Sequence, residues 1–409
     1  MALLSKAVLG PKTLYGFKAV FALAVLASLL SFAKFSHCES TTWATPDQYI
    51  HACYSDLPTL YGQRNLDKNQ WPYSSETNAV EYPALTGIVM FVTAAFVNSP
   101  IAYFNLNAIF IAFLFIGLVL LVRKMKPEFG YLLPVAPAMI ASLFINWDLW
   151  AIVTMMLAIY WFDRKFYTYS ALAIGISIST KFLPIFLLFP IAFILWRQNR
   201  IKVLLKYLAS VIAVWLAINL PIALTTPTGW WRFYKLNMER GADWGSMWLA
   251  LSQLGVNLKN LNYLALLLLL VGITVVTIFL FELTSTPTLA SIAFIMLATV
   301  MVASKVYSPQ YVLWLTPLAV IALASVKELP VFWLWQAGEV IYHVAIWQHI
   351  ALVTGAHFGL PAGGYAALTI LRIATTMYLM WTLARRLIQA GNPQEAHFDL
   401  RFRTLKAYP

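Results

Sequence analysis

Thirteen apolar stretches recur along this chain, near residues 19–33, 84–97, 104–122, 129–145, 149–162, 167–180, 182–196, 205–224, 261–281, 288–303, 311–326, 331–350 and 365–384. No water-soluble core holds so many. A helix crossing a bilayer needs about 20 apolar residues to span a hydrocarbon layer about 30 Å thick. Stretches of that order, repeated from one end of the chain to the other, predict an all-α polytopic membrane protein that forms one integral-membrane domain over residues 1–409. Composition agrees: 61% of the residues are hydrophobic and 11% charged, where soluble domains carry about 25% charged residues. No polar segment is long enough to fold into a separate nucleotide-binding domain. No dinucleotide fingerprint, phosphate loop, zinc spacing or HExxH string occurs.

The formal net charge of +12 does not point to nucleic acid, because the positive residues sit in short clusters between apolar stretches. Such clusters mark cytoplasmic loops that face anionic headgroups. They are "RKMK" (123–126), "DRK" (163–165), "RQNRIKVLLK" (197–206), "VKE" (326–328) and a tail, 385–409, with Arg385, Arg386, Arg401, Arg403 and Lys406. Lys6, Lys12 and Lys18 place the N-terminus on the same side. The run 19–33 reads as an uncleaved first helix, since Lys34 follows Ser31-Phe32-Ala33 directly; a cleaved signal peptide is the alternative. From residue 123 onward the sidedness is consistent if 167–196 makes two short crossings. Before it, an even number of crossings must separate two cytoplasmic clusters, so 84–97, roughly 21 Å long as a helix, is expected to be re-entrant or interfacial. The total is about twelve crossings of a plasma membrane.

This arrangement puts the loop 36–83, "NWD" (146–148), the turn at Lys181, the loop 225–260, "SKVYSPQ" (304–310) and the segment from His349 to Gly364 on the extracytoplasmic face. The first loop has six acids, Glu39, Asp47, Asp56, Asp67, Glu76 and Glu81, against Arg64 and Lys68. Chemistry there would have neither ATP nor sugar nucleotides to draw on. The only cysteines, Cys38 and Cys53, fall in that loop. An oxidising compartment permits a disulfide, worth roughly 3 kcal/mol for a loop of this length; two free thiols are the other reading.

Six short strings stand on that face in order: "CYSDLPTLYGQR", "EYPALTG" (81–87), "INWDLWA" (145–151), "STKFLPIFLLFP" (179–190), "GWWRFYKLNMERGADWGSMW" (229–248) and "SKVYSPQYVLWL" (304–315). Together they resemble the membrane glycosyltransferases of the GT-C superfamily, and most closely glycosyltransferase family 87, the polyprenol-phosphate-mannose-dependent mannosyltransferases. The resemblance covers roughly residues 15 to 385. It implies a GT-C-type helical bundle and an acidic general base in the first outer loop, a position that Asp56 occupies. A sugar hydroxyl attacks well only when its proton has somewhere to go, and single-step inversion needs one carboxylate rather than a pair. Asp56 has a second reading, as the cap of a helix beginning at Leu57-Pro58. Glu81 is the rival base; its other readings are to orient the acceptor, cap 84–97 or pair with Arg64.

Lys181, Arg240, Lys305 and His349 are the candidates for the donor phosphate. Lys181 interrupts thirty apolar or neutral residues, which is costly unless it is paired or faces water; a snorkelling lysine is the alternative. Arg240 offers a planar fork for phosphate, with Asp243 holding it or binding acceptor hydroxyls. Tyr82, Asn146, Asp148, Tyr307 and Gln310 complete the candidate sugar and acceptor contacts, although Asn146 and Asp148 could equally cap the helix 149–162. The tryptophans of 225–248 suit an interfacial belt. The spacing of His343, His349 and His357 makes no convincing metal site, so neither metal nor cofactor is expected. The activity that the resemblance implies is inverting transfer of a sugar, mannose in that family, from a polyprenyl monophosphate to a cell-envelope glycolipid or lipoglycan. The alternatives are a transporter or lipid flippase, argued against by the lack of an internal repeat, and an arabinofuranosyltransferase using the same class of lipid donor.

Overall fold

A computed structural model describes residues 16–391. Lys6, Lys12, Arg401, Arg403 and Lys406 lie outside the described residues. Among the described residues every regular element is helical and none is a strand. The helices follow the apolar stretches closely. Five are long and apolar enough to cross a membrane: Phe17–Ser40, Pro100–Met125, Ile201–Thr225, Leu261–Glu282 and Ala362–Ala390. Leu329–Val353 is as long, but it carries Gln336, Glu339, His343, Gln348 and His349. The other apolar helices are shorter, among them Asp148–Asp163, Tyr167–Thr180, Leu289–Ala303 and Val312–Ala322.

Local chemistry sets where elements start and break. Pro100 opens its helix at a position where a missing N–H costs nothing, and the Ser99 side chain accepts from Ala102 N at 3.2 Å. The stretch 129–145 is one apolar run in sequence but two short helices in space, Leu132–Val135 and Pro137–Ser142. Pro137 has no N–H to donate and forces Ala136 into an extended conformation, ψ 111°. The stretch 84–97 yields only the helix Ala84–Ala94, about 16 Å long and half the thickness of a bilayer core. It packs against Tyr167–Thr180, and Thr86 Oγ1 donates to Thr180 O at 2.6 Å.

Leu289–Ala303 and Val312–Ala322 are buried almost throughout and form the centre of the bundle. Ile201–Thr225 and Leu261–Glu282 lie at the rim, with Leu205, Leu224, Leu266, Leu267 and Val275 exposed. An apolar rim of this kind suits a lipid surround and would be unfavourable in water.

One ion pair sits where few charges are tolerated. Arg372 Nε donates to Glu339 Oε2 at 2.9 Å, with the side chains 0% and 1% exposed. They tie Leu329–Val353 to Ala362–Gly391. Close approach of those helices needs Gly338, where a Cβ would meet Thr375 Oγ1 at 2.3 Å. Arg372 also donates to the carbonyls of Tyr307 and Ser308, and its guanidinium stacks 3.6 Å from the Tyr307 ring. Glu339 in turn accepts from the hydroxyl of Tyr307 and from Trp335 Nε1. The pair therefore fixes the turn 304–311 between two helices. Removing one partner leaves an uncompensated buried charge, at a cost of about 3–5 kcal/mol. Arg372→Leu and Glu339→Leu should each lower the melting temperature of the detergent-solubilised protein sharply. The double variant should recover most of that loss; equal melting temperatures for single variants and parent would contradict the pairing.

Candidate functional site

The polar loops meet at one end of the bundle. Asp56 N donates to Ile145 O at 2.7 Å, and Ser55 Oγ to Phe144 O at 2.7 Å, so the first loop is pinned to the turn before Asp148–Asp163. Asp243 N donates to Lys305 O and Tyr307 N to Trp244 O, joining the loop after Pro227–Glu239 to the turn 304–311. Tyr54, Trp244 and Leu360 pack on one cluster with Tyr342, Trp347 and Tyr365. Cys38 and Cys53 are joined by a disulfide at the base of the first loop.

At the centre is Asp56, half-buried and first residue of the helix Asp56–Gln63. Capping falls to its neighbour: Ser55 accepts from Leu57 N at 3.2 Å. The Asp56 carboxylate is thereby free to accept from two phenols, Tyr54 Oη to Oδ1 at 2.8 Å and Tyr82 Oη to Oδ2 at 3.0 Å. Desolvation pushes the Asp56 carboxyl above the ordinary aspartate range. Hydrogen bonds from Tyr54 and Tyr82 and the charge of Lys181 pull the other way without cancelling it. Burial, with the Asp56 charge added, holds both phenols protonated and well above their usual range. The result is a carboxylate of raised basicity, held in one orientation and still reachable.

Beside it lies a second buried pair. Lys181 Nζ sits 2.8 Å from Asp148 Oδ1 and 4.6 Å from the centre of the Tyr82 ring. Trp314 Nε1 donates to Asp148 Oδ2 at 2.8 Å. Asn146 Oδ1 accepts from Asp148 N at 3.0 Å, while Asn146 Nδ2 is buried with no acceptor among the described residues. Asn146 thus serves the helix start, and its amide nitrogen remains unpaired. A third pair, Arg240 with Asp243, is only partly buried. Arg240 Nε has no partner among the described residues, and Asp243 Oδ1 accepts from Trp244 N at 2.7 Å. Tyr311 feels the charges of Lys181, Asp148, Arg240 and Asp243 together, so both cations border one region.

Other candidates are placed differently. Glu81 Oε1 is shared by Arg64 and Arg232 at 2.8 and 2.9 Å; it clamps the first loop to Pro227–Glu239 and its charge is already matched. Lys305 Nζ donates to Arg240 O, Met238 O and Asn262 Oδ1 at 2.7, 3.2 and 2.5 Å. Its three protons meet three acceptors, so it ties down the end of that helix. His349 Nδ1 is 2.8 Å from Leu360 O and Nε2 is 3.1 Å from Gln253 Nε2, and its ring stacks on Tyr365 at 4.6 Å. Both ring nitrogens are engaged. Tyr307 is buried against Glu339, and Gln310 is also buried. His343 hydrogen-bonds Lys34 Nζ and Ser142. Tyr54, Trp314 and Tyr311 carry contacts that sequence reasoning did not single out. Tyr54 had a local signal, two residues before Asp56; Trp314 lies 166 residues from Asp148 and had none.

No family model matches the chain, and no curated protein matches it. Among solved structures, it is similar to ArnT from Cupriavidus metallidurans bound to undecaprenyl phosphate. The identity is 13%, over 93% of this chain and 79% of that one, with a TM-score of 0.47. A likeness at that level carries no argument about the chemistry of this chain.

Lys181 and Asp148 can be tested as a unit. Lys181→Met strands a buried carboxylate and should cost about 3–5 kcal/mol. Adding Asp148→Asn should restore most of it in a double-mutant cycle. Additive losses would show that the two side chains do not depend on each other.

Proposed function

We propose that the chain is a multi-pass plasma-membrane glycosyltransferase. In this reading it transfers a sugar, mannose by the family-87 resemblance, from a polyprenyl monophosphate to a glycolipid or lipoglycan of the cell envelope, with inversion at the anomeric carbon. The observation that carries the proposal is Asp56. It is a half-buried carboxylate with no cation in direct contact, oriented by two phenol donors and close enough to Lys181 to feel its charge. Glu81 and Glu339, by contrast, are each matched by arginine; in this reading Asp56 takes up a proton.

Asp56 accepts the proton of the acceptor hydroxyl while its oxygen attacks the anomeric carbon. The bond to the donor phosphate breaks, and polyprenyl phosphate leaves without needing a proton. Lys181 and Arg240 bind the phosphate as its negative charge grows, which is where stabilisation accelerates the step. Lys181 has ammonium protons beyond the one directed at Asp148, and Arg240 has its unpaired Nε. These two cations supply the positive charge, so no metal and no cofactor enters the proposed step. In this reading Tyr82, Asn146 and Asp243 are the sugar contacts. A groove of about 560 Å³ lined by Val340, Val344, Gln348, Phe358 and Leu360 would seat the prenyl tail of the donor. Gln348, on the groove wall, donates to Ile50 O of the first loop, the loop that carries Asp56. The reacting end would face away from the cytoplasm, with both termini inside.

The test is transfer from polyprenyl-phosphate-mannose to acceptors in a membrane lipid extract. Asp56→Asn should lower turnover about 10²–10⁴-fold, the usual contribution of a general base. Glu81→Gln should weaken stability yet keep turnover within about tenfold of the parent, because a structural clamp is lost but no proton acceptor. Full transfer in Asp56→Asn would overturn the assignment, and solute or lipid movement without sugar transfer would favour a transporter. The pH profile gives a second check. The base works only when ionised, so the rate should fall with acid through a midpoint above the ordinary aspartate value of about 3.9. Tyr82→Phe removes a donor that favours the ionised form, so it should move that acid limb to higher pH. A limb that stays in place or moves down would contradict the role of Asp56.

A further inference from the structure

Three metal-ligating side chains meet in the first loop, apart from the proposed transfer chemistry. His37 Nε2 lies 2.8 Å from Asp47 Oδ2, and His51 Nδ1 lies 3.1 Å from Asp47 Oδ1. One ligand atom from each of the three residues lies within 4.8 Å of the others. The two imidazole rings are 3.6 Å apart, centre to centre. Both histidines thus address opposite oxygens of one carboxylate. Every one of these atoms is one that a cation would use.

The surrounding structure holds the group in shape. His37 is in the last turn of Phe17–Ser40 and directly precedes Cys38; His51 lies two residues before Cys53. The disulfide between those cysteines, separated by 15 residues, closes the loop on which all three ligands stand. Asp47 and His51 are spaced i, i+4 across the turn Asp47–Ile50, so they share a face. Thr41 Oγ1 donates to Asp47 Oδ2 at 3.0 Å, an outer contact that orients the carboxylate as such contacts do around bound metals. The three side chains are 41%, 32% and 45% exposed, which leaves room for water to complete the coordination.

We propose that His37, Asp47 and His51 form a binding site for a divalent transition-metal ion of the zinc type. Two imidazoles and one carboxylate are a usual zinc donor set, with metal–ligand distances of about 2.0–2.2 Å. Neighbouring ligands around such an ion stand somewhat farther apart than a hydrogen bond, so binding requires a small opening of the two imidazole–carboxylate contacts. Nitrogen donors select zinc over magnesium and calcium, which prefer all-oxygen sites. The ion would replace two hydrogen bonds with stronger ligation and lock the turn Asp47–Ile50. That turn carries Tyr49, whose ring stacks on Tyr54 at 5.5 Å and on Trp347 at 6.1 Å. The site is therefore structural: it stiffens the support on which Tyr54 rests.

The experiment uses the full chain in detergent, free of any histidine tag and stripped with a chelator. Zinc is titrated calorimetrically, and bound metal is counted after dialysis. One zinc per chain is expected, not displaced by millimolar magnesium or calcium, with a rise in melting temperature. His37→Ala, His51→Ala and Asp47→Asn should each weaken binding by tenfold or more and abolish that rise, whereas His357→Ala should change neither. Metal-free variants should melt with the metal-free parent, since these residues are half-exposed. If a variant fails to fold, the parent alone decides through cobalt substitution: a four- or five-coordinate visible spectrum that zinc bleaches supports the site. No stoichiometric binding, or binding unchanged in the His37→Ala/His51→Ala double variant, would overturn it. None of these readouts involves glycosyl transfer, so the metal site and the proposed activity stand or fall separately.

Discussion

The arrangement at the polar end of this bundle depends on keeping Asp56 poised between two opposing effects. Desolvation raises its proton affinity, and two phenol donors restrain that rise while fixing its direction. A direct arginine or lysine partner would have made the group a permanent anion and a poor base. Full exposure would have made it an ordinary surface carboxylate. Its nearest cation, Lys181, is instead held by Asp148, itself fixed by Trp314. Two acids thus share one end of the fold in different surroundings, Asp148 paired with a cation and Asp56 held by phenols.

Holding that geometry takes several loops far apart in sequence, and each is anchored by a charge. Glu81 binds Arg64 and Arg232, fixing the first loop against Pro227–Glu239. Lys305 gathers the carbonyls at the end of that same helix. The buried Glu339–Arg372 pair fixes the turn 304–311 from behind. In a chain this apolar, packing alone gives little directional preference, because one greasy helix face resembles another. Ion pairs and hydrogen bonds desolvated at the bundle end supply that specificity.

Much of the helical plan was legible because the burial signal is coarse: a long apolar run means a helix, whatever its neighbours. It failed where local chemistry intervened, as at Pro137, which divides one apolar run into two short helices, and in 182–196, which opens as the 3-10 helix Leu183–Leu187. The first loop was legible at Asp56 because an isolated acid in a polar string draws attention. Its partners were less so. Tyr82 adjoins Glu81 in sequence, but Trp314 and Tyr311 gain meaning only from the fold. Lys305 and Lys181 look alike as lone lysines among apolar residues. Only the structure distinguishes them, one saturated by two backbone carbonyls and the Asn262 amide oxygen, the other paired with a single carboxylate. Glu339 and Arg372 each interrupt an apolar run, yet neither reveals its partner 33 positions away. His37, Asp47 and His51 escaped notice because their irregular spacing matches no linear motif; the disulfide brings them together.

The central claim is that Lys181 and Arg240 receive the phosphate of a lipid-linked donor beside Asp56. The most direct measurement is a structure of the protein with a polyprenyl monophosphate bound. The account predicts the phosphate between Lys181 Nζ and the Arg240 guanidinium, with the prenyl chain running into the groove lined by Val340 and Leu360. A phosphate seated instead at the far end, near Lys165 and Lys206, with Lys181 still paired only to Asp148, would contradict it.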